Sequence, residues 1–176
     1  LLGVGAGRTV VIPTTAYPTY DVGGRIAGAK VVACDDPAEV AALKPSLIWI
    51  NSPANPHGQI LTPQRLREWV AAARGVGAVL ASDECYAEFG WDAEPISVLH
   101  PEINGGSLAN LIAVHSLSKR SNAAGYRAGF LAGDPILVSE LREVRKHAGL
   151  MVPTPVQAAM VSLLGDHAHV EEQRAR

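Results

Sequence analysis

The sequence predicts an α/β fold, a mostly parallel sheet with helices on both faces in three layers. Three observations carry that prediction. Short apolar, β-branched runs alternate with longer segments of helical periodicity, the pattern of βαβ units. Within each run the apolar residues are continuous instead of alternating with polar ones, as in strands covered on both faces. The 176 residues are 48% hydrophobic and only 18% charged, enough to build a core and too apolar for a disordered chain.

TVVI (Thr9–Ile12) reads as the first strand, and TYDVGGRIAGA (19–29) as a helix weakened by its glycines. KVVAC (30–34) and SLIWI (Ser46–Ile50) are the next strands, and NSPANPHGQ (51–59) is rich in turn formers. TPQRLREWVAAARG (62–75) is the clearest helix: Thr62 is a natural N-cap, Pro63 suits the first helical position, and Leu66, Trp69, Val70 and Ala73 share one face. AVLAS (78–82), NLIAVHS (Asn110–Ser116) and GFLAG (Gly129–Gly133) complete six strands. A helix is expected from Asp134-Pro135 to about His147 and another from near Thr154-Pro155, followed by a polar, helix-like tail, DHAHVEEQRAR. Repeats and linkers are absent, which suits one domain.

Composition also excludes. The net charge of −2 gives no electrostatic basis for nucleic-acid binding. No apolar run approaches the ~20 residues that span a bilayer. Cys34 and Cys85 stand far apart without a CxxC partner, so neither a disulfide framework nor a zinc site is expected, and a reduced, cytoplasmic setting is the simpler expectation. The P-loop pattern, HExxH and GxSxG do not occur, and GVGAG (3–7) precedes a strand where a dinucleotide fingerprint would follow one. His167 and His169 form a lone HxH, expected on an exposed helix. SLSK fits the SxxK of serine β-lactam enzymes but lacks the partner motifs SDN and KTG.

In open sheets of this kind ligands bind beyond the carboxyl ends of the strands. The residues there are Thr14–Tyr17, Asn51–Asn55, Asp83–Tyr86 and Ser116–Lys119. Taken singly each has an ordinary reading. Lys119 is a solvated loop lysine, Asp83 or Glu84 an N-cap or exposed turn, Tyr86 a core-edge ring, and Asn55 and Tyr17 turn residues beside prolines. Taken together they supply what pyridoxal phosphate chemistry needs: a lysine for the aldehyde, an acid for the pyridine nitrogen, donors for the phenolic oxygen, a phosphate clamp and a flat group for the ring.

The ordered motifs AYPTY, NSPANPHG, SDECYAEF, SLSK and GYRAGF resemble those of fold-type I aminotransferases along nearly the whole chain. The resemblance implies pyridoxal 5'-phosphate as cofactor, with Lys119 as the Schiff-base lysine and Asp83 paired with the pyridine nitrogen. It implies Asn55 and Tyr86 at the phenolic oxygen, Ser116 and Arg127 at the phosphate, and Tyr17 stacked on the ring. More narrowly, SDECYAEFGWDAEPISVLHP, AVHSLSKRSNAAGYRAGFLAGDP and VRKHAGLMVPTPVQAAMV are similar to N-succinyldiaminopimelate aminotransferases of lysine biosynthesis. Those enzymes exchange an amino group between N-succinyl-LL-2,6-diaminopimelate and 2-oxoglutarate. His57 departs from the broader family, which commonly has threonine there.

The same resemblance implies a homodimer acting on small amino and keto acids. It also makes residues 1–176 a partial large domain, incomplete at both ends, without the small substrate-closing domain. Apolar surface normally covered by those parts would then be exposed. Two other readings stay open: another pyridoxal-phosphate reaction, such as carbon–sulfur lysis, and a non-catalytic module that binds cofactor or dimerises.

Overall fold

The computed structural model describes residues 2–149 and 151–176; Leu1 and Leu150, the latter inside the VRKHAGLM motif, lie outside the described residues. The strands are β1 (Thr9–Ile12), β2 (Lys30–Ala33), β3 (Leu47–Asn51), β4 (Val79–Asp83), β5 (Leu111–Ser116) and β6 (Gly129–Gly133). Each lies within one residue of its predicted bounds. The helices are α1 (Thr19–Ile26), α2 (Val40–Leu43), α3 (Pro63–Val76), α4 (Pro101–Asn104), α5 (Leu117–Arg120), α6 (Pro135–Ala148), α7 (Thr154–Gly165) and α8 (Ala168–Ala175).

The sheet order is β2-β1-β3-β4-β5-β6. β1 to β5 are parallel and β6 is antiparallel to β5. The chain leaves β5 through one-turn α5 and a 3-10 turn (Ala124–Tyr126) at the same end of the sheet, so β6 begins beside the residue where β5 stops. The direction of winding reverses at β1, whose neighbours are β2 and β3. Such a reversal opens a crevice at the carboxyl ends of the strands.

Strand alternation divides the core. Val11, Ile48, Leu80 and Leu111 face α3, which buries Leu66, Trp69, Val70 and Ala73 against them. At about 1.5–3 kcal/mol for each large side chain, that stripe anchors the helix. Thr62 caps α3 by accepting from the Arg65 N–H at 3.2 Å, and Gly77 ends it at φ 69°. Val10, Leu47, Val79 and Ile112 face the other way, towards Tyr20 of α1 and Leu137 and Val138 of α6. A Cβ on Gly24 would lie 2.6 Å from Val31 Cγ2, so the glycine that weakens α1 is what lets it approach β2. α1 stops at Ile26, short of the expected Ala29, where Gly28 turns the chain at φ 78°.

α7 packs Val156, Met160, Leu163 and Leu164 onto Leu117, Ala123 and Ala128 around α5. Ile26, Ile136, Met151 and Val161 are each more than 60% exposed.

Candidate active site

β3, β4 and β5 end in Asn51, Asp83 and Ser116, which follow Leu47, Val79 and Ile112 at even spacing and so face the same side of the sheet. The β1–α1 loop brings Tyr17 and the start of α1 brings Tyr20 over that edge, α5 brings Ser118 and Lys119, and the 3-10 turn leads to Arg127. The result is a cleft of about 280 Å3. Tyr17, Asn55, Asp83, Tyr86, Ser116, Lys119 and Arg127, the residues singled out in the sequence, all line it. Asn51, Cys85 and Ser118, within the same strand-end segments, also line it, and the structure adds Tyr20 from outside them.

Asp83 is held from two sides. Its Oδ2 accepts from the Tyr20 hydroxyl at 2.6 Å and its Oδ1 from the Cys85 N–H at 3.1 Å. The Tyr20 ring stacks on Trp49 with centroids 4.9 Å apart and meets Tyr17 edge-on at 6.2 Å. Burial, reinforced by the Asp83 charge, holds the Tyr20 hydroxyl well above its ordinary pKa, so it remains a donor. Burial and then Asp83 also push the Cys85 thiol up to about 12, against a smaller opposing effect of Lys119.

Asn51 ties the neighbouring segments together. Its Nδ2 donates to the carbonyls of Asp83 and Pro53, both at 2.9 Å, while its Oδ1 accepts from the Asn55 N–H at 2.7 Å. Asn55 thereby faces Tyr86, whose hydroxyl lies 3.5 Å from Asn55 Nδ2. Lys119 Nζ stands 6.0 Å from the Tyr86 ring centroid, the outer range of a cation–π contact.

Ser116 caps α5 by accepting from the Ser118 N–H at 3.1 Å, and its hydroxyl donates to Ser118 Oγ at 2.9 Å. Lys119 is exposed towards the cleft. Its neighbour Arg120 points inward and is buried, donating to Glu88 Oε1 at 2.8 Å and to the Leu163 carbonyl at 2.6 Å. Arg127 sits at φ 53° and donates to the Ala124 carbonyl at 2.8 Å, which leaves most of its fork of donors on the exposed side.

This donor set can neutralise an anion at one end of the cleft, accept a proton-bearing nitrogen at Asp83, and present an amine between them. A second cavity of about 750 Å3 shares Asn55, Tyr86 and Lys119 and extends past His57 and Trp91.

Other sequence expectations resolve simply. Cys34 and Cys85 are free thiols. His167 is exposed, but His169 is half-buried, with Nε2 3.0 Å from Ser121 Oγ and Nδ1 3.1 Å from Asp166, so only the first fits an exposed surface. Among the described residues no cluster could hold a metal ion, and no helix is long and apolar enough to cross a membrane. Arg145, Lys146 and His147 are exposed in the last turn of α6 and do not line the cleft.

The family model for aminotransferases of class I and II matches residues 1–176. The chain belongs to this family. Class I and II aminotransferases are pyridoxal-phosphate enzymes, and the six-stranded sheet with its flanking helices is that of fold-type I. The chain is 56% identical over its whole length to the 4-dedimethylamino-4-oxo-anhydrotetracycline transaminase of Streptomyces rimosus, covering 49% of that protein. It is 55% identical, again over its whole length, to a probable aminotransferase of Mycobacterium tuberculosis, covering 42% of it. The solved N-succinyldiaminopimelate aminotransferase of Mycobacterium tuberculosis is 25% identical with a TM-score of 0.84, matching 99% of this chain and 49% of that one. The chain therefore spans about half the length of the aminotransferases it matches.

Proposed function

We propose that the protein carrying this chain is a pyridoxal-phosphate aminotransferase, and that residues 1–176 form part of its large, cofactor-binding domain. One observation carries the reading: an acid, a lysine and a set of hydroxyl and cationic donors, drawn from strand ends far apart in sequence, converge on one cleft. Their chemistry fits the cofactor. When bound, pyridoxal phosphate supplies an electron sink for the carbanion formed at the substrate carbon.

Asp83, oriented by its bonds from the Tyr20 hydroxyl and the Cys85 N–H, would hold the cofactor's ring nitrogen and favour its protonated form. Asn55 and Tyr86 donate to the ring oxygen. Arg127 offers a planar fork to the phosphate, and Ser116 and Ser118 add hydroxyls. Tyr17, nearly half exposed, provides a flat surface for the ring. Lys119 is the covalent anchor for the cofactor aldehyde. With the cofactor held, its Nζ would also be the base placed to take the proton from the substrate carbon.

For the substrate pair we propose N-succinyl-LL-2,6-diaminopimelate and 2-oxoglutarate, as in lysine biosynthesis, in a homodimer. The likeness of the motifs around Asp83 and Lys119 supports this, as does the matching solved N-succinyldiaminopimelate aminotransferase. A second reading has its own support: 56% identity to the tetracycline-pathway transaminase favours a polycyclic ketone as amino acceptor.

The test uses the full-length protein loaded with pyridoxal phosphate. Glutamate should convert the bound cofactor to its pyridoxamine form, and N-succinyldiaminopimelate should then turn over with 2-oxoglutarate. Turnover only with the tetracycline ketone would select the second reading. Ammonia and pyruvate from cystathionine, with no spectral change from any amino donor, would replace transamination by carbon–sulfur lysis.

A further inference from the structure

Glu84 and His115 are the chain neighbours of Asp83 and Ser116, and strand alternation turns them to the opposite face of the sheet. Glu84 is only 3% exposed. Its Oε1 accepts from the Val98 N–H at 3.0 Å, and its Oε2 lies 3.3 Å from His115 Nε2, misaligned for a hydrogen bond. Among the described residues that oxygen has no hydrogen-bond partner. The Glu84 N–H donates to the Val114 carbonyl at 2.9 Å, so the side-chain contact continues the β4–β5 ladder past its last backbone pair. On its other side His115 stacks on Phe130, its partner in the β5–β6 ladder, with centroids 5.0 Å apart and planes at 19°.

We propose that the Glu84–His115 pair, clamped by Phe130, is a positioning strut for the cofactor site, fixing from behind the sheet how Asp83 and Ser116 are presented in the cleft. This rests on the cofactor reading above. Stability alone is a poor reason for such a pair, because a buried carboxylate against a ring nitrogen is often matched or surpassed by apolar residues of similar volume. Geometry is a better one. A site of this kind needs its groups held to within about 0.5 Å, and side chains locked from a second layer provide that. Glu88 and Arg120, which line the same small cavity as Glu84 and His115, are paired with each other at 2.8 Å, and His115 stands at ion-pair distance from the Glu84 carboxylate.

The experiment compares full-length wild type with His115→Phe, Glu84→Leu, Glu84→Gln and the His115→Phe/Glu84→Leu double variant. His115→Phe keeps a ring on Phe130 and removes only the imidazole. Glu84→Gln keeps the acceptor for Val98 and can donate to His115. Three quantities are read: the pyridoxal phosphate Kd, the pH midpoint of the bound cofactor's visible absorbance, and the denaturant midpoint.

His115→Phe and Glu84→Leu should each weaken cofactor binding by about tenfold and displace the absorbance midpoint, while Glu84→Gln restores most of the affinity. The double variant should lose no more than about twofold beyond the worse single one, since the two residues act as a unit. Unchanged Kd and absorbance midpoint in folded His115→Phe, even with a lowered denaturant midpoint, would overturn the strut, as would fully additive losses. If His115→Phe does not fold, His115→Gln replaces it and must fall between wild type and Glu84→Leu; wild-type values there overturn the proposal. Wild type that binds no pyridoxal phosphate would instead sink the cofactor reading beneath it.

Discussion

Replacing Tyr20 by phenylalanine removes one atom from the Asp83 network and leaves everything else in place. The ring remains stacked on Trp49 at 4.9 Å, and the apolar area it buries is unchanged. What disappears is a 2.6 Å hydrogen bond to a carboxylate oxygen. Hydrogen bonds to charged groups contribute about 1.5–3 kcal/mol, so Tyr20→Phe should lower unfolding stability by that amount, in contrast to the small effect of deleting an exposed hydroxyl.

The pH dependence separates this cause from a packing defect. The pKa of the Tyr20 hydroxyl is raised in the folded state above the ordinary tyrosine range, by burial first and by Asp83 second. A raised acid contributes stability that is complete below the unfolded pKa and is lost as pH rises towards the folded one. The gap between wild type and Tyr20→Phe should therefore be flat through neutral pH and narrow only above about pH 10. Urea unfolding of the full-length protein at a series of pH values measures both quantities. A gap under about 0.5 kcal/mol at pH 7, or one that varies between pH 6 and 9, would refute the reasoning.

Two further outcomes follow from the same structure. The Cys85 thiol is pushed up to about 12 by burial and Asp83, so its alkylation by iodoacetamide at pH 8 should be far slower than that of a free thiol near pKa 8.5. Peptide mass spectrometry over a pH series reads this, and a rate that levels off below pH 9 would contradict it. Thr62→Ala removes the cap on α3, whose side chain accepts from Arg65 N–H at 3.2 Å. A loss of about 1 kcal/mol in unfolding stability with unchanged cofactor affinity is expected, because α3 packs on the sheet face away from the cleft.

Where a signal was local, the sequence carried it. The continuous apolar runs became β1 to β6 nearly residue for residue, and Thr62-Pro63 marked the start of α3. The one-turn helices α2, α4 and α5 left no trace, because four residues hold too little periodicity to register. The cleft residues were legible because they follow strand ends, where an open sheet gathers its ligands. Tyr20 was missed for the opposite reason. It begins a helix, and what gives it a role is Asp83, 63 positions away. Glu84 reads in the sequence as a cap or exposed turn, yet it is buried, and nothing marks His115, since only the pairing of β4 with β5 brings the two together.

The strand ends also dictate where this chain can be edited. Deleting one residue within Val79–Asp83 would send the Asp83 carboxylate behind the sheet and put its neighbour in the cleft, destroying the site without removing any side chain from it. The exposed loop at Trp91–Glu94 has no strand alternation to preserve, although Trp91 and Asp92 border the larger cavity. Length differences among related proteins, and successful insertions of tags or short peptides, should therefore gather in that loop and avoid the few residues on which the chemistry is mounted.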